Sequence, residues 1–347
     1  MRRRRLNNGA DCALWRAGFA ALGRGRTRTR LVPALLCVAL VGLAGCDRLV
    51  PAPLEGSPAG PYRLTLTLDP PAPQPGADTL LSFELTQRAS GDPVRDLQIV
   101  HERALHTFIV ARDFSNFAHL HHEDFEPIGE ADRETGRMRF AYRFPAAGDY
   151  RIVSEFTHRD RSWSKRFDLR VGKVAQQAPL PVNLERTRHV GDYTARLAVS
   201  PERPVAGHEA ELVLELHRHG QPVTDLALWL GAEAHVAVWR SDGEQFGHTH
   251  SYTPDMARMM ADMQGHRMDA AQSAAMMLKM MSAPPRLVYP GPVIPVRHVF
   301  PTPGVYHVFM QCAPGGTSLV LPFTLEVLPD DGVADTALQS IVDAVAR

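Results

Sequence analysis

The sequence lacks the motifs that usually carry catalysis. It contains no phosphate-binding loop, no Gly-x-Ser-x-Gly nucleophile elbow and no His-Glu-x-x-His pair. Catalytic side chains of these classes would be recognisable from their spacing, so their absence argues against the corresponding enzymes. We therefore expect a binding or supporting protein rather than an enzyme.

An excess of positive charge is also missing from most of the chain. The 347 residues include 38 basic and 38 acidic side chains, which gives a formal net charge of zero. Nine arginines but only one acid lie in residues 1–45, so the rest of the chain has a net charge of −8. Nucleic-acid binding needs clustered basic side chains that displace counterions from phosphates. Because the chain after residue 45 has a net negative charge, we do not expect a nucleic-acid partner.

The basic N-terminal region has the features of an export signal. Its apolar run, Leu31–Gly42, has twelve residues, which is typical of a signal peptide and too short for a membrane-spanning helix. The following Leu-Ala-Gly-Cys ends at Cys46 and resembles the lipobox of bacterial lipoproteins, whose cysteine is acylated. This resemblance implies a lipid-anchored envelope protein that faces the periplasm. Asp47 resembles the inner-membrane retention signal of enterobacterial lipoproteins, which favours that membrane where the rule applies.

Cysteine is scarce, and the predicted processing makes it scarcer. Two of the four cysteines, Cys12 and Cys37, would leave with the signal peptide, and Cys46 would carry lipid. Only Cys312 remains, so we expect no internal disulfide although the compartment is oxidising. No histidine follows Cys312 closely, which disfavours a blue-copper site, and we expect a buried strand residue there.

The body of the chain is an internal duplication. A Phe-Pro-x-x-Gly-x-Tyr element at Phe144–Tyr150 recurs 156 residues later at Phe300–Tyr306. Three histidines recur at a shorter offset of 129 residues, namely His106, His119 and His121 as His235, His248 and His250. Constant offsets across chemically unlike residues indicate a repeat. The change of offset places a 27-residue insertion in the second copy, between His250 and Phe300.

Each copy shows the pattern of an antiparallel β-sandwich. Alternating stretches such as Tyr62–Leu68 and Leu212–Leu216 are typical of half-buried strands, and Pro/Gly/Asp clusters separate them. The predicted fold is all-β, with two tandem Ig-like antiparallel sandwiches. The predicted boundaries are a lipoprotein signal peptide over 1–45, a tether over 46–61, sandwich one over 62–171, a linker over 172–192, sandwich two over 193–328 with a Met-rich helical insertion at about 253–285, and a C-terminal helix over 329–347.

The repeated elements resemble those of a known group of envelope proteins. A Phe-x-His-x-His element followed by Phe-Pro-x-x-Gly-x-Tyr is similar to tandem Ig-like modules of the YtkA-like group. The resemblance implies an envelope protein associated with copper or other heavy-metal handling. The Met-rich insertion departs from the plain module.

The repeated histidines are candidate metal ligands. Both copies have the spacing H-x12-H-x-H, and residues two apart on a strand point to the same face. The first histidine of each set can approach from the neighbouring strand of a hairpin. Imidazole ligands suit copper, with zinc as the alternative. The competing interpretation is structural, with half-buried histidines at the sandwich edges that were inherited with the duplication.

The insertion supplies a second candidate ligand set. Nine of the twelve methionines lie within residues 256–281, and Thr253-Pro254 is a plausible helix start. Thioethers are soft ligands that favour Cu(I), although a methionine stripe also suits packing or an adaptable protein-binding surface. The candidate ligands are Met256, Met259, Met260, Met263, Met276, Met277, Met280 and Met281.

Together these features predict a membrane-anchored envelope protein that binds, buffers or delivers copper. The alternative is a metal-free Ig-like scaffold that docks a partner protein or an envelope glycan. The expected partners are the membrane, contacted through the lipid anchor, and an envelope protein.

Overall fold

The computed structural model describes residues 53–58, 60–173, 182–252 and 286–331, all within one compact unit. Across these ranges, no helix is long and apolar enough to cross a membrane. Several predictions lie outside the described residues. They are the signal peptide, lipidation of Cys46, the helical Met-rich insertion and the C-terminal helix beyond residue 331.

The first module contains eight strands and one short helix. Their bounds are β1 Leu54–Glu55, β2 Tyr62–Asp69, β3 Asp78–Gln87, β4 Leu105–Ala111, β5 Phe117–Leu120, α1 Glu130–Thr135, β6 Arg137–Arg143, β7 Gly148–His158 and β8 Arg161–Val171. A 3-10 turn at His122–Asp124 follows β5.

The second module contains ten strands within the described residues. Their bounds are β9 Thr187–Val190, β10 Tyr193–Ser200, β11 Glu209–Arg218, β12 Gln221–Pro222, β13 Leu226–Ala227, β14 Ala234–Arg240, β15 Phe246–His250, β16 Val293–Val299, β17 Gly304–Pro314 and β18 Leu319–Val327.

Each module is a two-layer antiparallel sandwich. In the first, the sheet β1-β2-β3-β6 faces the sheet β5-β4-β7-β8. In the second, β9-β10-β11 with β16 faces β15-β14-β17-β18, so the layers repeat. Alternate side chains of both inner faces form one apolar core per module. The predicted all-β fold with two tandem Ig-like sandwiches is confirmed.

The repeated Phe-Pro-x-x-Gly-x-Tyr element makes the same corner in both modules. The Tyr150 hydroxyl donates to the Ala146 carbonyl at 2.9 Å, and the Tyr306 hydroxyl donates to the Thr302 carbonyl at 2.8 Å. Both rings are buried at the start of a central strand. This arrangement is the tyrosine corner that characterises Ig-like sandwiches.

The folded part starts earlier in each module than the sequence indicates. Leu54 and Glu55 pair with β2, although they fall within the predicted tether. Thr187–Val190 pairs with β10, although it falls within the predicted linker. Short edge strands give little periodic signal, which is why the alternation pattern missed them.

The two modules pack face to face through β4 and β14. Every residue of β4 is buried, because its odd-numbered side chains enter the first core while Phe108 and Val110 face the second module. Ala237 and Trp239 occupy the matching positions on β14. The aromatic layer at the junction includes Phe117 and Phe309, stacked at 4.4 Å with an interplanar angle of 6°. The junction therefore forms a third apolar core.

Candidate functional site

Three histidines of the first module converge at one end of the junction. His106 is the second residue of β4, and His119 lies on β5 directly opposite Phe108. His121 follows β5 and is the N-cap residue of the 3-10 turn. All three side chains are buried, with exposed fractions of 5% or less. The hairpin that joins β4 and β5 thus places the repeated histidines on one face, as their spacing predicts.

Their ring nitrogens form a tight triangle. His106 Nδ1 lies 3.2 Å from His119 Nε2 and 3.0 Å from His121 Nε2. The two Nε2 atoms lie 2.9 Å apart. Nitrogens bound to one ion at about 2.0–2.1 Å with tetrahedral angles are about 3.3 Å apart. The triangle is therefore close to the size that a first-row metal ion requires.

The outer nitrogen of each ring fixes the tautomer. His106 Nε2 donates to the Val100 carbonyl at 2.9 Å, because a carbonyl can only accept. His121 Nδ1 donates to Asp124 Oδ2 at 2.8 Å, and His119 Nδ1 donates to Gln311 Oε1 at 3.1 Å. Each inner nitrogen of a neutral ring then carries a lone pair. Three lone pairs converge with no proton between them, which a bound cation would stabilise.

The second module repeats this geometry in part. His235 Nδ1 lies 3.3 Å from His248 Nε2, and His235 Nε2 donates to the Trp229 carbonyl at 2.9 Å. The rings of His248 and His250 lie 4.4 Å apart at 64°, identical to the pair in the first module. His248 Nδ1 donates to Glu155 Oε2 at 3.1 Å. Nε2 of His250 is buried and finds no hydrogen-bond partner among the described residues.

The two histidine sets lie side by side and form one continuous centre. The ring of His119 lies 5.5 Å from those of His235 and His248, and His106 lies 5.6 Å from His248. A cavity of about 50 Å³ borders this centre and has room for a few water molecules at most. The sequence predicts two related sites, and the face-to-face packing of β4 and β14 brings them together.

Burial keeps these imidazoles neutral. It lowers the pKa of His106, His119, His235 and His250 well below the ordinary value, and neighbouring imidazoles lower it further. Burial also lowers the pKa of His121, which the hydrogen bond to Asp124 partly opposes. A metal-ligating histidine must be neutral, so these five imidazoles need no deprotonation before they bind an ion.

Sequence reasoning missed three residues of this centre. Glu155 and Gln311 each contact a histidine of the other module, and they lie 156 residues apart, so the duplication offset marks them as equivalent. His101 stacks on His250 across the junction with ring centroids 3.7 Å apart. Position 101 carries no such signal because its counterpart is Leu230.

Other candidate residues lie elsewhere. His122 is buried and its Nδ1 accepts the Arg139 backbone N–H at 2.9 Å, which is a structural role. Cys312 is a buried strand residue in a position equivalent to Phe156, as predicted, and burial raises its pKa to about 12. The candidate methionine ligands lie outside the described residues.

The solved structures that resemble this chain do so with low sequence identity and low TM-scores. An Escherichia coli adhesin, FdeC, is 12% identical with a TM-score of 0.22, over 78% of this chain and 65% of that one. Invasin, a bacterial integrin-binding protein, is 13% identical with a TM-score of 0.20, over 77% of this chain and 39% of invasin. The chain thus spans less than two thirds of the length of either structure. Sequence identities and TM-scores this low support no inference about function.

Among curated proteins, none matches this sequence. One family model matches it in two segments, residues 59–173 and 188–328. These segments correspond to the two sandwiches, and together they cover most of the chain. The chain therefore belongs to the family described as a domain of unknown function, DUF8832.

Proposed function

We propose that this protein is an envelope metal-binding protein whose two Ig-like modules hold a histidine centre at their junction. The observation that carries the proposal is the convergence of lone pairs from His106, His119 and His121, each fixed by an outer hydrogen bond. Such outer partners are a regular feature of protein metal sites. The same three positions recur in the second module.

The donor set indicates the class of ion. Neutral imidazole suits Cu(II) and Zn(II), while Mg²⁺ and Ca²⁺ prefer oxygen ligands. Copper is favoured by the resemblance to YtkA-like modules, with zinc as the alternative. The centre lies inside the junction next to a small cavity, which suits retention or buffering of an ion better than turnover of a substrate. We therefore propose storage or delivery rather than catalysis.

The location follows from the sequence. The lipobox ending at Cys46 supports a lipid anchor in a bacterial membrane, with both modules on the periplasmic side. Inner-membrane retention is proposed from Asp47 alone.

Metal titration tests this proposal. Purified protein, stripped with chelator and dialysed, should bind Cu(II) or Zn(II) with a stoichiometry of one or two ions and gain thermal stability. The matched control is the double variant H217Q/H219Q, since this additional His-x-His pair lies at the end of β11, away from the junction. Failure to bind either ion under reducing and oxidising conditions would contradict the proposal.

A metal-free docking scaffold is the second candidate, and a surface groove favours it. The first module has a groove of about 240 Å³ whose apolar lining includes Leu97, Ile128 and Met138. Ile99 at its rim is 51% exposed. An apolar groove on a tandem Ig-like scaffold suits a partner protein or an envelope glycan. If Ile99→Asp abolished capture of a partner by metal-free protein, the scaffold function would be favoured.

A further inference from the structure

The loop before β4 differs between the modules at one chemically important position. Val100 pairs with Arg103 in a tight turn, and Trp229 pairs with Ala232 in the equivalent turn. His101 has φ 47° and its counterpart Leu230 has φ 51°, so the left-handed backbone is retained in both turns. Only the side chain has changed. The duplication thus preserved the turn, while the first module alone presents an imidazole from it.

The His101 imidazole reaches the histidines of the other module. Its ring lies 3.7 Å from that of His250, nearly parallel, and 5.4 Å from that of His235 at 81°. One nitrogen from each of these three rings lies within 4.8 Å of the other two. His101 therefore belongs to the second histidine set by position, although it belongs to the first module by sequence.

Two nitrogens in this group are buried without a hydrogen bond. Nε2 of His101 and Nε2 of His250 find no partner among the described residues. Leaving buried polar atoms unpaired is unfavourable, because each atom loses its hydrogen bonds to water and gains none in return. A shared cation would satisfy buried, unpaired nitrogens on imidazole rings that lie this close together.

We infer that His101 is a ligand to the ion of the second set, together with His235 and His250, whose nitrogens converge with its own. His248, whose Nε2 lies 3.3 Å from His235 Nδ1, would be the fourth ligand. This inference rests on the proposed metal-binding function. The first set, His106, His119 and His121, has no corresponding fourth imidazole, because the second module carries Leu230 at the position equivalent to His101. The two sites would therefore differ, with four nitrogens closing the second and three leaving the first open to another ligand.

An ion at the second site would have a structural consequence. Of the three converging histidines, His235 and His250 come from the second module and His101 comes from the first. An ion at this site would join the modules directly, in addition to the aromatic layer at the junction. The ion in the first site would have ligands from one module only. Occupancy of the second site should therefore stabilise the junction more.

Replacement of His101 tests this assignment. H101L reproduces the residue found at the equivalent turn, and H101N preserves the turn because asparagine tolerates positive φ. Both are titrated with Zn(II) by calorimetry, using the full protein, and with Co(II) by visible absorption. We expect one equivalent to bind at least about tenfold more weakly, since loss of an outer partner alone costs about 10–100-fold. The other equivalent should be unchanged.

The possible outcomes separate the two claims. If the parent protein binds no Zn(II) or Co(II), the proposed function fails and the assignment of His101 fails with it. If the parent binds two ions and both variants bind them with parental affinity, only His101 is excluded as a ligand. If both equivalents are lost in H101N while its metal-free melting temperature is unchanged, the assignment to one ion is wrong. A weakened Co(II) ligand-field band from one site supports the assignment.

Discussion

Gln311 of the second module accepts a hydrogen bond from His119 of the first, with the Oε1 and Nδ1 atoms 3.1 Å apart. Glu155 occupies the equivalent position of the first module and accepts from His248 of the second, also at 3.1 Å. The junction is thus reciprocal, since each module orients a histidine of the other. The two contacts differ in charge, because the outer partner Gln311 is a neutral amide and the outer partner Glu155 is a carboxylate.

This difference predicts unequal effects of isosteric substitutions. A carboxylate behind an imidazole raises its basicity as a ligand more than an amide does. Glu155→Gln should therefore weaken metal binding at the second set about 10–100-fold. Gln311→Glu should strengthen binding at the first set. Competition with a chelator of known affinity measures both, and equal affinities in all three proteins would contradict a role for these outer partners.

The first histidine set should be required for one metal equivalent. We expect His119→Gln with His121→Gln to remove one ion, while H217Q/H219Q retains the parental stoichiometry. Both histidines are buried and hydrogen-bonded, so the metal-free double variant should also lose about 1–3 kcal/mol of unfolding free energy for each partner left unpaired. Equilibrium dialysis and urea unfolding measure the two effects. Unchanged stoichiometry with lowered stability would favour the structural interpretation.

The stability loss in that prediction differs from what the sequence indicates. Spacing alone places the histidines at a half-buried sandwich edge, where substitution costs little. The sequence did predict that the repeated histidines share a face, because strand periodicity and the duplication offset determine it. The sequence could not predict which surface packs against that face. The sequences of β4 (LHTFIVA) and β14 (AHVAVWR) are apolar on both faces. This pattern indicates that both faces of each strand are buried, but it does not identify the surface that covers the second face.

The aromatic layer should couple the modules energetically. Phe117 and Phe309 stack across the junction at 4.4 Å, and Phe309 is 4% exposed. Phe309→Ala should lower the unfolding free energy by about 3–5 kcal/mol, as for other buried phenylalanines. A double-mutant cycle with Phe117→Ala should give a coupling energy of about 0.5–1.5 kcal/mol. Strictly additive effects would show that the stacking contributes nothing beyond the buried area.

Cys312 should be unreactive in the folded protein. Burial raises the pKa of its thiol to about 12, so at pH 8 only about one molecule in ten thousand carries the reactive thiolate. Raising the pH towards 12 should increase the native thiolate fraction about tenfold per unit. Iodoacetamide labelling with peptide mapping should show slow modification of Cys312 at pH 8 and rapid modification in urea. Fast labelling of folded protein at pH 8 would contradict the burial of this residue.

Lipidation at Cys46 remains a prediction from the sequence. Cys46→Ala removes the only sulfur at the predicted cleavage site, so the variant should accumulate as an uncleaved precursor or fractionate as a soluble species. Mass spectrometry of the N-terminal peptide and membrane fractionation test this. A variant that is processed and sediments with membranes like the parent would rule out the lipobox.

The Met-rich insertion should be dispensable for folding of the second module. The chain enters and leaves it at neighbouring points, since the Tyr289 hydroxyl donates to the Tyr252 carbonyl at 3.0 Å. The first module spans the same interval, from β5 to β6, with a short turn and α1. Shortening a connecting segment changes its closure entropy only logarithmically. Deletion of Asp255–Ser282 should therefore leave the fold and the histidine centre intact.

The same deletion tests the proposed thioether ligands. Thioethers favour Cu(I), whereas Cu(II) and Zn(II) prefer imidazole. The deletion variant should bind Cu(I) more weakly under reducing conditions and should keep parental affinity for Cu(II) and Zn(II). Circular dichroism and the melting temperature provide the folding control. Aggregation or early melting would show that the methionines pack against the sandwich, because their removal would expose apolar surface. A folded variant with unchanged Cu(I) affinity would exclude both roles and leave the insertion as a surface for a protein partner.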